Sequence, residues 1–184
     1  MTLVAGGDSM IWGSELTDSL HGGLGGHSRK TFTALLSVGD YICAAYPGIG
    51  NKEISLRVID AISLQPPTTS VIVCWTWSSR DNEINADHHI INLQEYLEYH
   101  KYPYLFTCVD NCIITNNPQI HWHNWYMFPP STEHHQTIQP RGFYQWAVEN
   151  KYKVGVDSHP LEGAHRAAAF LIKEKFDELV TKHN

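Results

Sequence analysis

The stretch SVIVCW, from Ser70 to Trp75, is a nearly unbroken apolar run of the length of a β-strand. Apolar and polar side chains alternate in a strand with one solvated face, whereas a strand buried on both faces reads as a continuous apolar run. Strands of the second kind occur in parallel sheets that helices cover on both sides. The stretch therefore predicts a parallel sheet at the centre of the protein.

Segments of strand and helix character alternate on either side of this run. Further strands are predicted at residues 3–7, 41–46, 104–109 and 121–128, and helices at residues 28–38, 51–64, 84–100, 143–150 and from Pro160 to the end. Such alternation requires crossover connections between parallel strands. We therefore expect an α/β protein, a three-layer α/β/α sandwich with a mostly parallel five-stranded sheet, in a single domain spanning residues 1–184.

Charge and hydropathy exclude two classes of partner. The net charge of −6, with scattered lysines and arginines, argues against a nucleic acid, because a polyanion needs basic groups to neutralise its phosphates. No apolar run approaches the roughly 20 residues that span a bilayer, and the first residues lack the features of a secretory leader. We expect no membrane and no nucleic acid among the partners.

The cysteines and histidines do not form a convincing metal site. Three of the four cysteines, Cys43, Cys74 and Cys108, lie in apolar runs, which indicates buried thiols in a cytosolic setting, with a virion or an exported particle as the alternative. The pairs His88–His89 and His134–His135 are candidate ligands, as are His121 and His123, which would share one strand face. No carboxylate or thiol completes a ligand set at a suitable spacing. We expect neither a metal nor a cofactor.

In open parallel sheets the active site lies at the carboxyl ends of the strands. Ser9 follows the first strand at that edge, and Asp157 and His159 precede the last helix there. In an extended segment residues two positions apart point to the same side. Asp157 could then accept a hydrogen bond from one imidazole nitrogen while the other takes a proton from a serine. Each element taken alone is equally compatible with a turn or a helix cap.

Three blocks of the chain resemble the SGNH (GDSL-type) hydrolases, which have a flavodoxin-like fold. GDSMIWGSEL is similar to their first block, AYPGIGNKEI to their second and VDSHPLEGAHRAAAFLI to their last. The resemblance implies that Ser9 is the nucleophile, that His159 is the general base and that Asp157 orients the imidazole. It also implies that the backbone N–H groups of Ser9 and Gly48 bind the oxyanion, with Gly50 as the alternative to Gly48.

Two departures from the family pattern affect these assignments. Where the third block of the family has Gly-x-Asn-Asp, with the Asn side chain as a third oxyanion donor, this chain reads CWTWSSRDNE. The hydroxyl of Thr76 or Ser78 is expected to donate instead, with Asn82 as a further candidate. Only one residue separates Asp157 from His159, where the family more often has two. A backbone carbonyl is therefore an alternative partner for the imidazole.

The residues after the central strand suggest a substrate surface. Trp75 and Trp77 could provide aromatic platforms, although packing in the core is the simpler explanation of each. Arg80 could bind a substrate carboxylate or pair with Asp81 or Glu83.

These features together favour a serine esterase that hydrolyses a small or carbohydrate-linked ester, such as an O-acetyl group. The alternative is a non-catalytic binding or assembly module of the same fold. A nucleotide-binding flavodoxin-like protein is disfavoured, because no Gly-rich phosphate loop opens a helix after the first strand.

Overall fold

A parallel β-sheet forms the centre of the computed structural model, which describes residues 1–19, 26–81, 87–131 and 139–183. Its strands are β1 (Leu3–Gly6), β2 (Tyr41–Cys43), β3 (Ser70–Trp75) and β4 (Tyr104–Cys108), in the order β2-β1-β3-β4. All three pairings are parallel, and every residue of β3 is buried. The predicted α/β class with a parallel sheet is confirmed.

The sheet has four strands within the described residues, so the prediction of five is wrong. The segment predicted as the fifth strand, residues 121–128, contains a short 3₁₀ helix (Trp122–Asn124) and two isolated bridges, a parallel one between Trp125 and Phe106 and an antiparallel one between Phe128 and Arg141. Its aromatic side chains pack as a covering layer instead: Trp125 and Phe128 are buried. An aromatic run has the composition of a strand, but hydrophobic burial does not require strand pairing.

Helices cover both faces of this sheet. They are α1 (Ser9–Trp12), α2 (Phe32–Leu36), α3 (Asn51–Ile62), α4 (Asp87–Tyr99), α5 (Phe143–Glu149) and α6 (Glu162–His183). Helices α3 and α4 pack against one face, where Ile54, Val58 and Ile62 are fully buried at the spacing of a helical stripe. Helices α2, α5 and α6 pack against the other face.

The start of α3 is capped by a residue from another loop. The sequence predicts Asn51 as the N-cap, but the carboxylate of Asp81 accepts hydrogen bonds from the backbone N–H groups of Asn51 and Lys52, at 2.9 and 3.0 Å. Gly50 makes room for this carboxylate, because a Cβ at Gly50 would lie 2.2 Å from Asp81 Oδ1. The loop after β3 is thereby tied to the loop after β2.

Within the described residues, no helix is both long and apolar enough to span a membrane. Ser9 follows β1, Gly48 follows β2 and Trp77 follows β3, so the predicted site residues lie beyond the carboxyl ends of neighbouring strands.

Candidate active site

The short helix α1 presents Ser9 at its first position. Asp8 is the N-cap, and its Oδ1 accepts a hydrogen bond from the backbone N–H of Met10 at 2.9 Å. Gly13 ends the helix with a φ of 83°, a left-handed conformation that glycine adopts without strain. The result is a tight turn that holds Ser9, 6% exposed, above the sheet.

Ser9 and His159 lie within hydrogen-bonding distance although they are near opposite ends of the chain. Ser9 Oγ is 2.9 Å from His159 Nε2. The other imidazole nitrogen, His159 Nδ1, is 2.8 Å from Glu15 Oε2. The arrangement is a continuous serine–histidine–carboxylate chain, in which the carboxylate favours the tautomer that leaves Nε2 free to accept the serine proton.

Glu15 is held in place by more than the imidazole. Its carboxylate also accepts hydrogen bonds from the backbone N–H groups of Asp157, at 3.0 Å, and His159, at 3.2 Å. A Cβ at Gly155 would lie 2.4 Å from this carboxylate, so Gly155 allows the close approach of the two segments. Burial raises the pKa of Glu15, but these hydrogen bonds outweigh it and the net pKa is lowered, which keeps the group ionised.

Asp157 does not take the place that the sequence predicts for it. The prediction assumes an extended segment, but Ser158 has a φ of 65°, and its backbone N–H bonds the carbonyl of Gly155 at 3.1 Å. This turn points the Asp157 side chain to solvent, while its backbone N–H faces Glu15. Sequence reasoning missed Glu15, although a carboxylate in the same block as Ser9, within GDSMIWGSEL, was the available signal.

The resemblance assigns the backbone N–H groups of Ser9 and Gly48 to the oxyanion. Neither Ser9 N–H nor Gly48 N–H donates a hydrogen bond to any residue that the structure describes. Gly48 has a φ of 80°, which strains any residue with a Cβ, although there is open space where a Cβ would lie. Gly50, the alternative donor, is the N-cap residue of α3 and has an ordinary extended backbone.

Thr76 and Ser78 are engaged elsewhere, which corrects the expectation that either hydroxyl serves the oxyanion. Thr76 Oγ1 donates to Asp8 Oδ2 at 2.6 Å, and both residues are fully buried. A hydroxyl has one hydrogen, so this bond uses it. Ser78 lies in the 3₁₀ helix Ser78–Asp81 and contacts the thiol of Cys112 through its backbone and its hydroxyl. Asn82 and Glu83 lie outside the described residues.

Trp75, at the end of the central strand, and Trp77, just beyond it, have different surroundings. Trp75 is fully buried and packs edge-on against Phe106, with ring centroids 5.3 Å apart, so its predicted contact with a substrate is wrong. Trp77 is half-buried and packs edge-on against the half-buried Tyr144, with centroids 6.0 Å apart. Trp77 and Tyr144 therefore form an aromatic corner beyond β3 and β4.

Arg80 pairs with Asp8, not with Asp81. Its Nη1 lies 3.7 Å from Asp8 Oδ2, and its guanidinium lies over the Trp77 ring, 5.3 Å from the centroid. Asp81 is occupied at the start of α3. The observed ion pair therefore differs from the expected pair with Asp81, and it joins the loop after β3 to the turn that carries Ser9, residues 7–16, which we call the nucleophile turn.

A second histidine supports the segment that carries His159. His165 is 1% exposed, and its Nδ1 accepts a hydrogen bond from the backbone N–H of Phe32 at 3.1 Å. Its ring also bonds the backbone of Pro160, the residue next to His159. Burial lowers the pKa of His165 to about 3, so the ring is neutral near pH 7 and acts as a structural link.

Metal ligation finds no support in the part of the chain that the structure describes. No three His, Cys, Asp or Glu side chains gather there in a group that could hold a metal ion. His121 Nδ1 instead lies 2.7 Å from Glu98 Oε1, and the His121 and His123 rings stack on each other. His134 and His135 lie outside the described residues.

No model of a known protein family matches the sequence, and no curated protein matches it. Among solved structures, the psychrotrophic esterase EstA from Pseudoalteromonas sp., in a crystal structure inhibited by monoethylphosphonate, is similar to this chain. The two are 14% identical with a TM-score of 0.59, and the match covers 98% of this chain and 97% of the other. At this identity the likeness establishes a shared fold.

Proposed function

We propose that the protein is a serine esterase that acts through a covalent acyl-enzyme, built as one SGNH-type domain over residues 1–184 with a three-layer, flavodoxin-like architecture. The observation that carries the proposal is the hydrogen-bonded chain from Ser9 through His159 to Glu15, with distances of 2.9 and 2.8 Å. The shared fold with an esterase is consistent with it.

The reaction follows from the positions of these groups. Ser9 Oγ attacks the acyl carbonyl carbon as His159 Nε2 takes its proton, and the carbonyl electron pair moves onto the oxygen. The N–H groups of Ser9 and Gly48 donate to that oxyanion. The alcohol leaves with the proton from His159, and a water molecule activated by the same imidazole releases the acid.

Glu15 has the role that the sequence assigns to Asp157. An ionised carboxylate at Nδ1 orients the ring and stabilises the imidazolium that forms during attack. The lowered pKa of Glu15 keeps this charge present across the neutral range.

The aromatic corner of Trp77 and Tyr144 supports a small or carbohydrate-linked ester as the substrate, because rings of this kind stack against sugars and acyl groups. The four cysteines are free, and Cys74 and Cys108 are buried. Free thiols favour a reducing compartment, and we place the protein in the cytoplasm on that basis. The net charge of −6 disfavours a nucleic acid partner.

The direct test is hydrolysis of p-nitrophenyl acetate together with labelling by a fluorophosphonate probe. We expect the wild-type protein to do both and Ser9→Ala to do neither, with an unchanged melting temperature. Ser63→Ala is the matched control, because Ser63 is exposed at the end of α3 and should react normally. Absence of both activities in the wild-type protein would contradict the proposal.

A non-catalytic binding or assembly protein is the second candidate. It is favoured by one observation, that the Thr76 hydroxyl which could replace the missing asparagine is committed to Asp8. This candidate predicts glycan binding without labelling of Ser9.

A further inference from the structure

The candidate oxyanion site has two backbone donors, and the side chain of Thr76 cannot add a third. Arg80 reaches the turn that carries one of these donors, since its Nη1 lies 3.7 Å from Oδ2 of Asp8, the residue before Ser9. The Arg80 side chain is partly buried, with 30% of it exposed, whereas the Asp8 carboxylate is fully buried.

The backbone and the side chain of Arg80 approach the two loops that supply the backbone donors. Its carbonyl oxygen lies 3.3 Å from the place that a Cβ of Gly50 would occupy, two residues beyond Gly48. Its guanidinium reaches Asp8, the residue before Ser9, at 3.7 Å. Arg80 therefore spans from the Gly48 loop to the nucleophile turn.

The guanidinium is held in place without using its hydrogen-bond donors. Stacking over Trp77 and the ion pair with Asp8 fix the group, but 3.7 Å is too long for a hydrogen bond. The two oxygens of Asp8 already accept from Met10 N–H and Thr76 O–H. Among the described residues, the five N–H groups of this guanidinium find no acceptor.

We propose that Arg80 is the third oxyanion donor, a charged replacement for the asparagine side chain. This inference rests on the proposed function. As Ser9 Oγ bonds to the carbonyl carbon and its proton passes to His159, the carbonyl π pair becomes a full negative charge on oxygen. A guanidinium N–H donates to that oxygen and is not itself deprotonated, because arginine stays protonated in proteins. When the tetrahedral intermediate collapses, the charge and this hydrogen bond are lost together.

A charged donor is stronger than an amide for this task. Hydrogen bonds with an ionised partner are shorter and roughly twice as strong as neutral ones. The donor is also positioned before the reaction starts, so it needs no reorganisation when the charge develops.

The test uses Arg80→Gln and Arg80→Lys in the full-length protein, with Arg166→Gln as the matched control on the exposed face of α6. The readouts are kcat and KM for p-nitrophenyl acetate and the inhibition constant of a trifluoromethyl ketone, which forms an oxyanion with an active serine. We expect Arg80→Gln to lower kcat by about 10²-fold or more with KM changed less than about threefold. The inhibition constant should rise in parallel. Arg80→Lys should retain more activity than Arg80→Gln, and Arg166→Gln should match the wild type.

Several outcomes would overturn the inference while leaving the esterase intact. One is an unchanged kcat in Arg80→Gln. Another is a change in KM alone, because that result would show that Arg80 binds the substrate equally well before and during the reaction. A loss of kcat without any weakening of the ketone would indicate a structural role. If Arg80→Gln does not fold, as judged by its melting temperature, the same criteria apply to Arg80→Lys. If the wild-type protein is inactive and unlabelled, the proposed function itself fails.

Discussion

The nucleophile turn, residues 7–16, and the loop after β3, residues 76–81, leave the same edge of the sheet but are built differently. The turn contributes both groups that flank His159, namely Ser9 and Glu15. The loop directs its polar side chains to neighbouring segments: Thr76 bonds Asp8, and Asp81 caps α3. The nucleophile turn thus supplies the two groups on either side of the imidazole, while Thr76 and Asp81 of the loop after β3 hold neighbouring segments in position.

Replacing Glu15 tests the first half of this comparison and should have the largest effect. Glu15→Gln removes the charge at His159 Nδ1, and we expect kcat for p-nitrophenyl acetate to fall by at least about 10²-fold. Asp157→Asn is the matched control and should stay within about twofold, because the Asp157 side chain points to solvent. Equal losses in the two variants would show that the carboxylate contact seen here is not the one used in catalysis.

Trp75, the last residue of β3, and Trp77, in the loop after it, test the second half of this comparison. Trp75→Ala should lower the free energy of unfolding by about 3–5 kcal/mol, since the ring is fully buried in the core. Trp77→Ala should lower the free energy of unfolding by less than about 1 kcal/mol. It should instead raise KM for p-nitrophenyl acetate, because this half-buried ring lines the aromatic corner. Urea denaturation with parallel kinetics measures both, and a reversed order of the two stability losses would contradict the assignment.

The bond between Thr76 and Asp8 is the point where the two regions meet. Thr76→Val keeps the shape of the side chain but leaves a buried carboxylate oxygen one donor short, which should cost about 1–3 kcal/mol of unfolding free energy. Thr76→Ser retains the hydroxyl and should cost less. Equal stability of the valine variant and the wild type in urea would mean that the loop does not support the nucleophile turn through this bond.

The pH dependence of unfolding reports on the segment that carries His159. The pKa of His165 is about 3 in the folded protein, against 6.5 for an unperturbed histidine. Between pH 6.5 and pH 3, the unfolded chain therefore carries a proton on His165 that the folded protein does not. The contribution of the neutral His165 ring to the free energy of unfolding is therefore fully present above about pH 6.5. It decreases as the pH falls, by up to about 1.4 kcal/mol per pH unit. The lowered pKa values of Glu15 and Glu162 act only below about 4.5, so they do not contribute in the range from pH 6.5 to 5.

His165→Gln should reduce the slope of the unfolding free energy across that range, measured by urea denaturation at each pH. Burial also lowers the pKa of His27, so this residue supplies part of the slope that remains. His100→Gln is the control, because His100 is exposed and should leave the slope unchanged. A slope in His165→Gln equal to that of the wild type would assign the pH dependence to another group, such as His27.

Much of the architecture was predictable because it depends on local patterns. The apolar run of β3 and the helical stripe of α3 each follow from side-chain periodicity, and together they predict a parallel α/β sheet. The segment at 121–128 was mispredicted for the same reason. Its aromatic composition reports burial, and burial alone does not distinguish a paired strand from a covering layer.

By itself the sequence determined that Ser9 and His159 belong to segments leaving one edge of a parallel sheet, since that follows from strand order and the direction of the chain. Only the tertiary structure decided which carboxylate meets the imidazole and where the Thr76 hydroxyl goes. The left-handed turn at Ser158 moves Asp157 away, and the missing side chain of Gly155 admits Glu15. Such choices depend on backbone angles at single residues and on distances of a few ångströms between loops, and residue spacing along the chain does not encode either.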